Sequence, residues 1–364
     1  MSFNIRSSMR PHLKDLEPYV PIVPLEVLSR DLGVSVDRIV KLDGNENPYG
    51  PSPKVREALA AFDAYHIYPD PLQRDLRSAL VGYTGLGEEH IVVGNGSDEL
   101  IDLVMRLFLE PGDKVINCTP TFGMYSFNTQ VCGGEVVDVP RGEGYQLDIS
   151  AIKDAMDRRT KLIFLASPNN PTGNPASAKE IEALLDMGLL VVVDEAYYEF
   201  CGASVASLVR EHDNLVVLRT FSKWAGLAGL RVGYGLFPPE IVSLVDRIKP
   251  PYNVNMAGLV AAEASLKDTE FLRSRVQAII EERERLYRVL SEFSFLLPIP
   301  SQANFILCLV DGVNALDVKR SLERDGILVK HIDTRGVPNA IRISVGLPQH
   351  TDIISEALGK WSKR

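Results

Sequence analysis

LLVVVDEAYY (189–198) and NLVVLRTFSK (214–223) share one plan: a short run of Leu and Val that ends on chemically active side chains. Neither run alternates apolar with polar residues, the pattern of a strand covered on both faces, as strands of parallel sheets are. Outward from this pair, HIVVGNGSDE (90–99), DKVINCTPTF (113–122), KLIFLASPNN (161–170) and RVGYGLF (231–237) repeat it. Between the first two of these, Leu100, Leu103, Val104, Leu107 and Phe108 fall at i, i+3, i+4, i+7 and i+8, one apolar helix face ahead of the Pro111-Gly112 stop. Strand, glycine-rich turn, helix and strand thus recur, and they predict an α/β fold with a mostly parallel central sheet. Past about Pro250 the pattern changes to a charged helical stretch (271–293), the apolar run NFILCLV (304–310), DVKRSLERDGILVK (317–330) and AIRISVG (340–346). The expected organisation is an N-terminal arm (1–35) that joins a small α+β domain (266–364), with a large domain (36–265) between them.

The 364 residues are 45% hydrophobic and 24% charged, the balance of a globular chain rather than a disordered one. A formal charge of −9 opposes binding to phosphate backbones or anionic lipid. Cys118, Cys132, Cys201 and Cys308 form no CxxC pair and the six histidines no HExxH, so no metal site is expected. The start lacks an apolar leader core, and the LLVVV run is far too short to span a bilayer, so a cytoplasmic location is expected.

Loops at the C-terminal ends of parallel strands are where such folds bind ligands. In GNGSDE, backbone N–H groups of Gly96, Ser97 and Asp98 can face an anion at a helix N-terminus, although Ser97 or Asp98 serving only as a helix cap is an equal reading. SPNNPTG (167–173) can hold an amide over a pocket or be a plain turn. Asp194 leaves the core where a carboxylate needs a partner, cofactor or ion pair. In TFSKWAGLAGLRVGY (220–234), Lys223 is bracketed by small and apolar residues. Desolvation there lowers a lysine pKa and readies it for a Schiff base, whereas a solvated surface lysine is the ordinary alternative.

Taken in order, SPNNPTG, DEAY and TFSKWAGLAGLRVGY resemble the pyridoxal-phosphate aminotransferases of fold type I. LDGNENPYGPSP (42–53), YHIYPDP (65–71), VVGNGSDE (92–99) and AIRISVG are similar to the histidinol-phosphate aminotransferase branch, and the resemblance runs from about Pro11 to the C-terminus. It implies pyridoxal 5'-phosphate as cofactor, carried by Lys223, with Asp194 on the pyridinium nitrogen. Asn170 and Tyr197 would donate to the ring's O3′, and Phe122 would stack on the ring where a tyrosine is more frequent. The cofactor phosphate would be held by Gly96, Ser97, Asp98, Thr220, Ser222 and Arg231, and by Tyr68 reaching in from the partner subunit of a homodimer. Arg342 would clamp the substrate α-carboxylate, and Tyr19 would meet the substrate phosphate. GILVK (326–330) has Lys330 where the branch often has arginine; Arg335 is the possible compensation.

The implied function is transamination between L-histidinol phosphate and 2-oxoglutarate in histidine biosynthesis. The rivals are an aromatic amino acid aminotransferase, a threonine-phosphate decarboxylase of the same fold, and a regulator that binds the cofactor without turnover. Regulators of the last kind usually carry an added DNA-binding domain, for which the roughly 40 residues ahead of LDGNENP leave no room.

Overall fold

The computed structural model describes residues 3–19, 21 and 23–362. Its strands are β1 (Val40–Leu42), β2 (Ile91–Gly94), β3 (Lys114–Thr119), β4 (Glu135–Pro140), β5 (Thr160–Ala166), β6 (Leu190–Asp194), β7 (Leu215–Thr220), β8 (Gly233–Leu236), β9 (Leu296–Pro298), β10 (Phe305–Val310), β11 (Ile327–Thr334) and β12 (Val337–Ser344). Seven of them form one sheet in the order β2-β8-β7-β6-β5-β3-β4. The six apolar runs are its β2, β3, β5, β6, β7 and β8, and β2, β6, β7 and β8 are buried at every position. Pairing is parallel from β4 through β7, as expected.

β8 instead runs antiparallel to both β7 and β2. Phe221–Val232, the connection from β7, contains only the short turn Ala228–Leu230 and no crossover helix, so the chain returns antiparallel. The helix Ser97–Phe108 stands where its apolar face predicts, with Leu100, Leu103 and Val104 fully buried against the sheet.

The second sheet has the order β1-β11-β12-β10-β9. β1, which the sequence assigns to the start of the large domain, pairs parallel to β11 in this smaller sheet, with Val40 and Leu42 buried. The first sheet therefore begins later in the chain than residue 36. The segment after β1 lies between the two sheets: the Gly44 carbonyl meets Lys223 beyond β7, Asn45 meets Tyr197 beyond β6, and Asp43 and Asn45 meet Arg342 and Ser344 of β12. Among the described residues, no helix is long and apolar enough to cross a membrane, and no cluster of potential metal ligands occurs.

Candidate active site

A cavity of about 910 Å³ opens where the C-terminal ends of β3, β5, β6 and β7 meet β11 and β12. Each strand end contributes: Phe122 after β3, Asn170 after β5, Asp194 and Tyr197 from β6, and Thr220, Ser222 and Lys223 from β7. Ser97, Asp98, Arg231, Tyr19, Lys330 and Arg342 complete the predicted set on its wall.

Lys223 Nζ donates a hydrogen bond to the Gly44 carbonyl at 3.3 Å. Burial, aided by the Arg342 charge, brings the lysine down to about 8. The loop reaches this position by a close approach: Gly226 has φ +69°, and a Cβ there would lie 2.6 Å from the Gly50 backbone.

Asp194 is buried and pushed up to about 6 by desolvation, against the pull of hydrogen bonds from Tyr125 Oη (2.8 Å) and the Ala196 N–H (3.1 Å). Tyr197, also buried, accepts a bond from Asn45 Nδ2 at 3.0 Å. Asn45 is itself fixed by Ser344 Oγ and by Asn304, which donates to its carbonyl.

Arg342 donates to Asn170 Oδ1 at 2.6 Å and to the Asp43 carbonyl at 2.8 Å, while its buried Nε has no partner. Because Asn170 accepts through Oδ1, its Nδ2 remains the donor available to the cavity. Lys330 is the register partner of Arg342 across β11 and β12. Burial and the Arg342 charge both lower the Lys330 pKa.

At the opposite end, Gly96 (φ +78°) precedes the helix Ser97–Phe108, and no side chain caps that helix. Neither Ser97 nor Asp98 therefore acts as the cap that sequence reasoning held open. First-turn N–H groups have no partner within a helix, so Ser97 and Asp98 offer donors to an anion. Arg231 Nη2 donates to Asp98 Oδ2 at 2.8 Å, and a Cβ on Gly96 would come 2.7 Å from the same nitrogen. Thr220 and Ser222 hold each other by a 3.0 Å hydroxyl bond. Two helix N–H groups, two hydroxyls and a guanidinium thus converge on one end of the cavity, and the buried amine and carboxylate lie in the same cavity. This donor set fits pyridoxal 5'-phosphate.

Two predicted side chains stand outside the cavity. Tyr68 is 78% exposed and stacks on Tyr252 at 4.6 Å. Arg335 is exposed in the turn between β11 and β12. Gly96 does not line the cavity but lies directly behind Arg231. Sequence reasoning assigns no role to Tyr125 or Asn45. Asn45 lies within the quoted LDGNENP and Tyr125 three residues after Phe122, but neither spacing points to the buried partner that each one holds.

The sequence pattern of the family described as "Aminotransferase class I and II" matches residues 37–358. The chain is 48% identical over 363 residues to the histidinol-phosphate aminotransferase of Dehalococcoides mccartyi strain 195, covering 100% of both chains. It is 49% identical to the chloroplastic histidinol-phosphate aminotransferase of Nicotiana tabacum, over 96% of this chain and 86% of that one. The crystal structure of histidinol-phosphate aminotransferase from Sinorhizobium meliloti in complex with pyridoxal-5'-phosphate superposes with a TM-score of 0.89 at 29% identity, covering 98% of each chain.

Proposed function

The chain belongs to the class I and II aminotransferases and, within them, to the histidinol-phosphate aminotransferase family, and on that premise we propose how its residues perform that reaction. The enzyme moves an amino group between L-histidinol phosphate and 2-oxoglutarate, giving imidazole acetol phosphate and L-glutamate, with pyridoxal 5'-phosphate as cofactor. The convergence of Lys223, Asp194 and Arg342 on one cavity carries the reading.

When bound, pyridoxal 5'-phosphate supplies the carbonyl that takes up the amino group and a ring that accepts electrons as the proton leaves Cα. Lys223 Nζ would hold the cofactor, and its amine would carry the proton to and from the substrate Cα. Asp194, held by Tyr125, keeps the ring nitrogen protonated. Tyr197 and the Asn170 amide would hold the ring hydroxyl, and Phe122 would supply an apolar wall for the ring. Ser97, Asp98, Thr220, Ser222 and Arg231 hold the cofactor phosphate.

In histidinol phosphate a phosphorylated hydroxymethyl group occupies the position on Cα that the α-carboxylate occupies in glutamate. One anion site must therefore serve both substrates, and the adjacency of Arg342 and Lys330 on β11 and β12 supports placing it there. Tyr19, whose pKa burial raises, remains a neutral hydroxyl donor at the same wall. Arg335, outside the cavity, is not needed in this scheme. We further infer a cytoplasmic homodimer in which Tyr68 completes the partner's phosphate site; its exposed ring beside Tyr252 supports this.

The test is a steady-state assay of purified protein with histidinol phosphate, phenylalanine and threonine phosphate as alternatives, with 2-oxoglutarate as acceptor. Histidinol phosphate is expected to have the highest kcat/KM. Preferential turnover of phenylalanine, release of carbon dioxide from threonine phosphate, or cofactor binding without turnover would each overturn the reading in favour of one rival.

A further inference from the structure

Behind the cavity, on the other side of the large sheet, Glu195 and Arg219 form a buried ion pair at 2.9 Å, with 2% and 4% of their surfaces exposed. Each directly follows or precedes a residue that lines the cavity: Asp194 and Ala196 flank Glu195, and Thr220 follows Arg219. Neither member of the pair lines it.

The pair bridges parallel neighbours at their C-terminal ends, just beyond the point where Asp194 is the register partner of Leu218 and the Glu195 N–H donates to the Leu218 carbonyl at 2.8 Å. Arg219 Nε donates to Glu195 Oε2 at 3.0 Å, and Nη2 donates to Ser204 Oγ at 2.7 Å. Ser204 in turn donates to Glu195 Oε2, and the Val205 N–H donates to Oε1 at 2.7 Å. The guanidinium also lies 3.6 Å over the Tyr198 ring, next to Tyr197. One arginine, four residues ahead of Lys223 in the chain, thus touches the segment that carries Asp194 and Tyr197.

Desolvation makes a buried ion pair a poor device for stability, since apolar groups of similar volume often serve as well or better. Its fixed geometry is what an apolar pair does not reproduce. We propose that the Glu195–Arg219 pair is a positioning element that locks the end of β6 to the end of β7 and so sets the placement of Asp194 relative to Lys223. The proposal rests on the roles given above to those two residues.

The test compares wild type with the charge-free double variant Glu195→Gln/Arg219→Met and with Arg219→Lys, all loaded with pyridoxal 5'-phosphate. Four readouts are melting temperature, cofactor dissociation constant, the pH midpoint of the cofactor's visible absorption, and the separate kcat and KM. The double variant should melt within a few degrees of wild type yet show a shifted absorption midpoint and a kcat lower by about 10- to 100-fold, the cost of ångström-scale misplacement, with KM for 2-oxoglutarate little changed. Arg219→Lys, which keeps the charge but loses the fork, should fall between them. An unchanged midpoint and kcat in a folded double variant would overturn the proposal, as would losses in kcat that only track a lower melting temperature. Wild type that fails to bind the cofactor would sink the functional reading instead, so the two failures are distinguishable.

Discussion

Lys223 and Asp194 depart from their ordinary pKa values because one cavity desolvates both charges. Lys223, lowered to about 8, loses its proton more readily than an exposed lysine. The rate at which the unloaded protein captures pyridoxal 5'-phosphate should therefore climb as pH rises through about 8, as stopped-flow absorbance can follow; a midpoint near the ordinary lysine value would contradict the desolvated site. The linked stability has the same sense: a lowered lysine pKa contributes stability above its unfolded value that is lost as pH falls through about 8. Asp194 has the opposite sign. Its raised pKa favours the protonated folded form, so that contribution is present below the unfolded value near 3.8 and lost as pH rises through about 6. Asp194→Asn should abolish that dependence in melts of unloaded protein. The same variant should keep cofactor bound while kcat drops by about 10²–10³-fold, the usual cost of removing one preorganised electrostatic partner. Near-normal turnover would remove Asp194 from its assigned role.

At the scale of elements, apolar runs identify six of the seven strands of the large sheet, because strands covered on both faces must be apolar throughout. The omitted strand, β4, lies at one edge of the sheet, where only Val139 of Glu135–Pro140 is buried and no such run is imposed, whereas β2 at the opposite edge is buried throughout. β1 was equally hidden, since three residues of period-two alternation say nothing about which of two sheets will pair with them. Residues at the ends of the parallel strands were legible because local sequence places them there. Tyr125 and Asn45 were not, since their partners Asp194 and Tyr197 lie 69 and 152 residues away and only the folded chain joins them. The pairing of β11 with β12 carries its own prediction. Lys330→Ala should raise KM for histidinol phosphate several-fold more than KM for glutamate, because a dianionic phosphate uses the second cation more than a carboxylate does. Equal effects in paired steady-state titrations would move Lys330 out of the phosphate site.

For the molecule as a whole, the exposed Tyr68 ring and its neighbours Tyr65, Ile67 and Tyr252 are where a second copy would complete the phosphate site. Sedimentation should give twice the chain's mass, and Tyr68→Ala should weaken cofactor binding several-fold without dissociating that dimer. A monomer with undiminished cofactor affinity would contradict the shared site. All of these expectations depend on which amine carries the cofactor. Borohydride reduction of the loaded protein, followed by peptide mass mapping, tests this most directly. The account predicts one pyridoxyl-phosphate adduct, on Lys223, and none in Lys223→Ala; an adduct on another lysine, or labelling that persists in that variant, would contradict it.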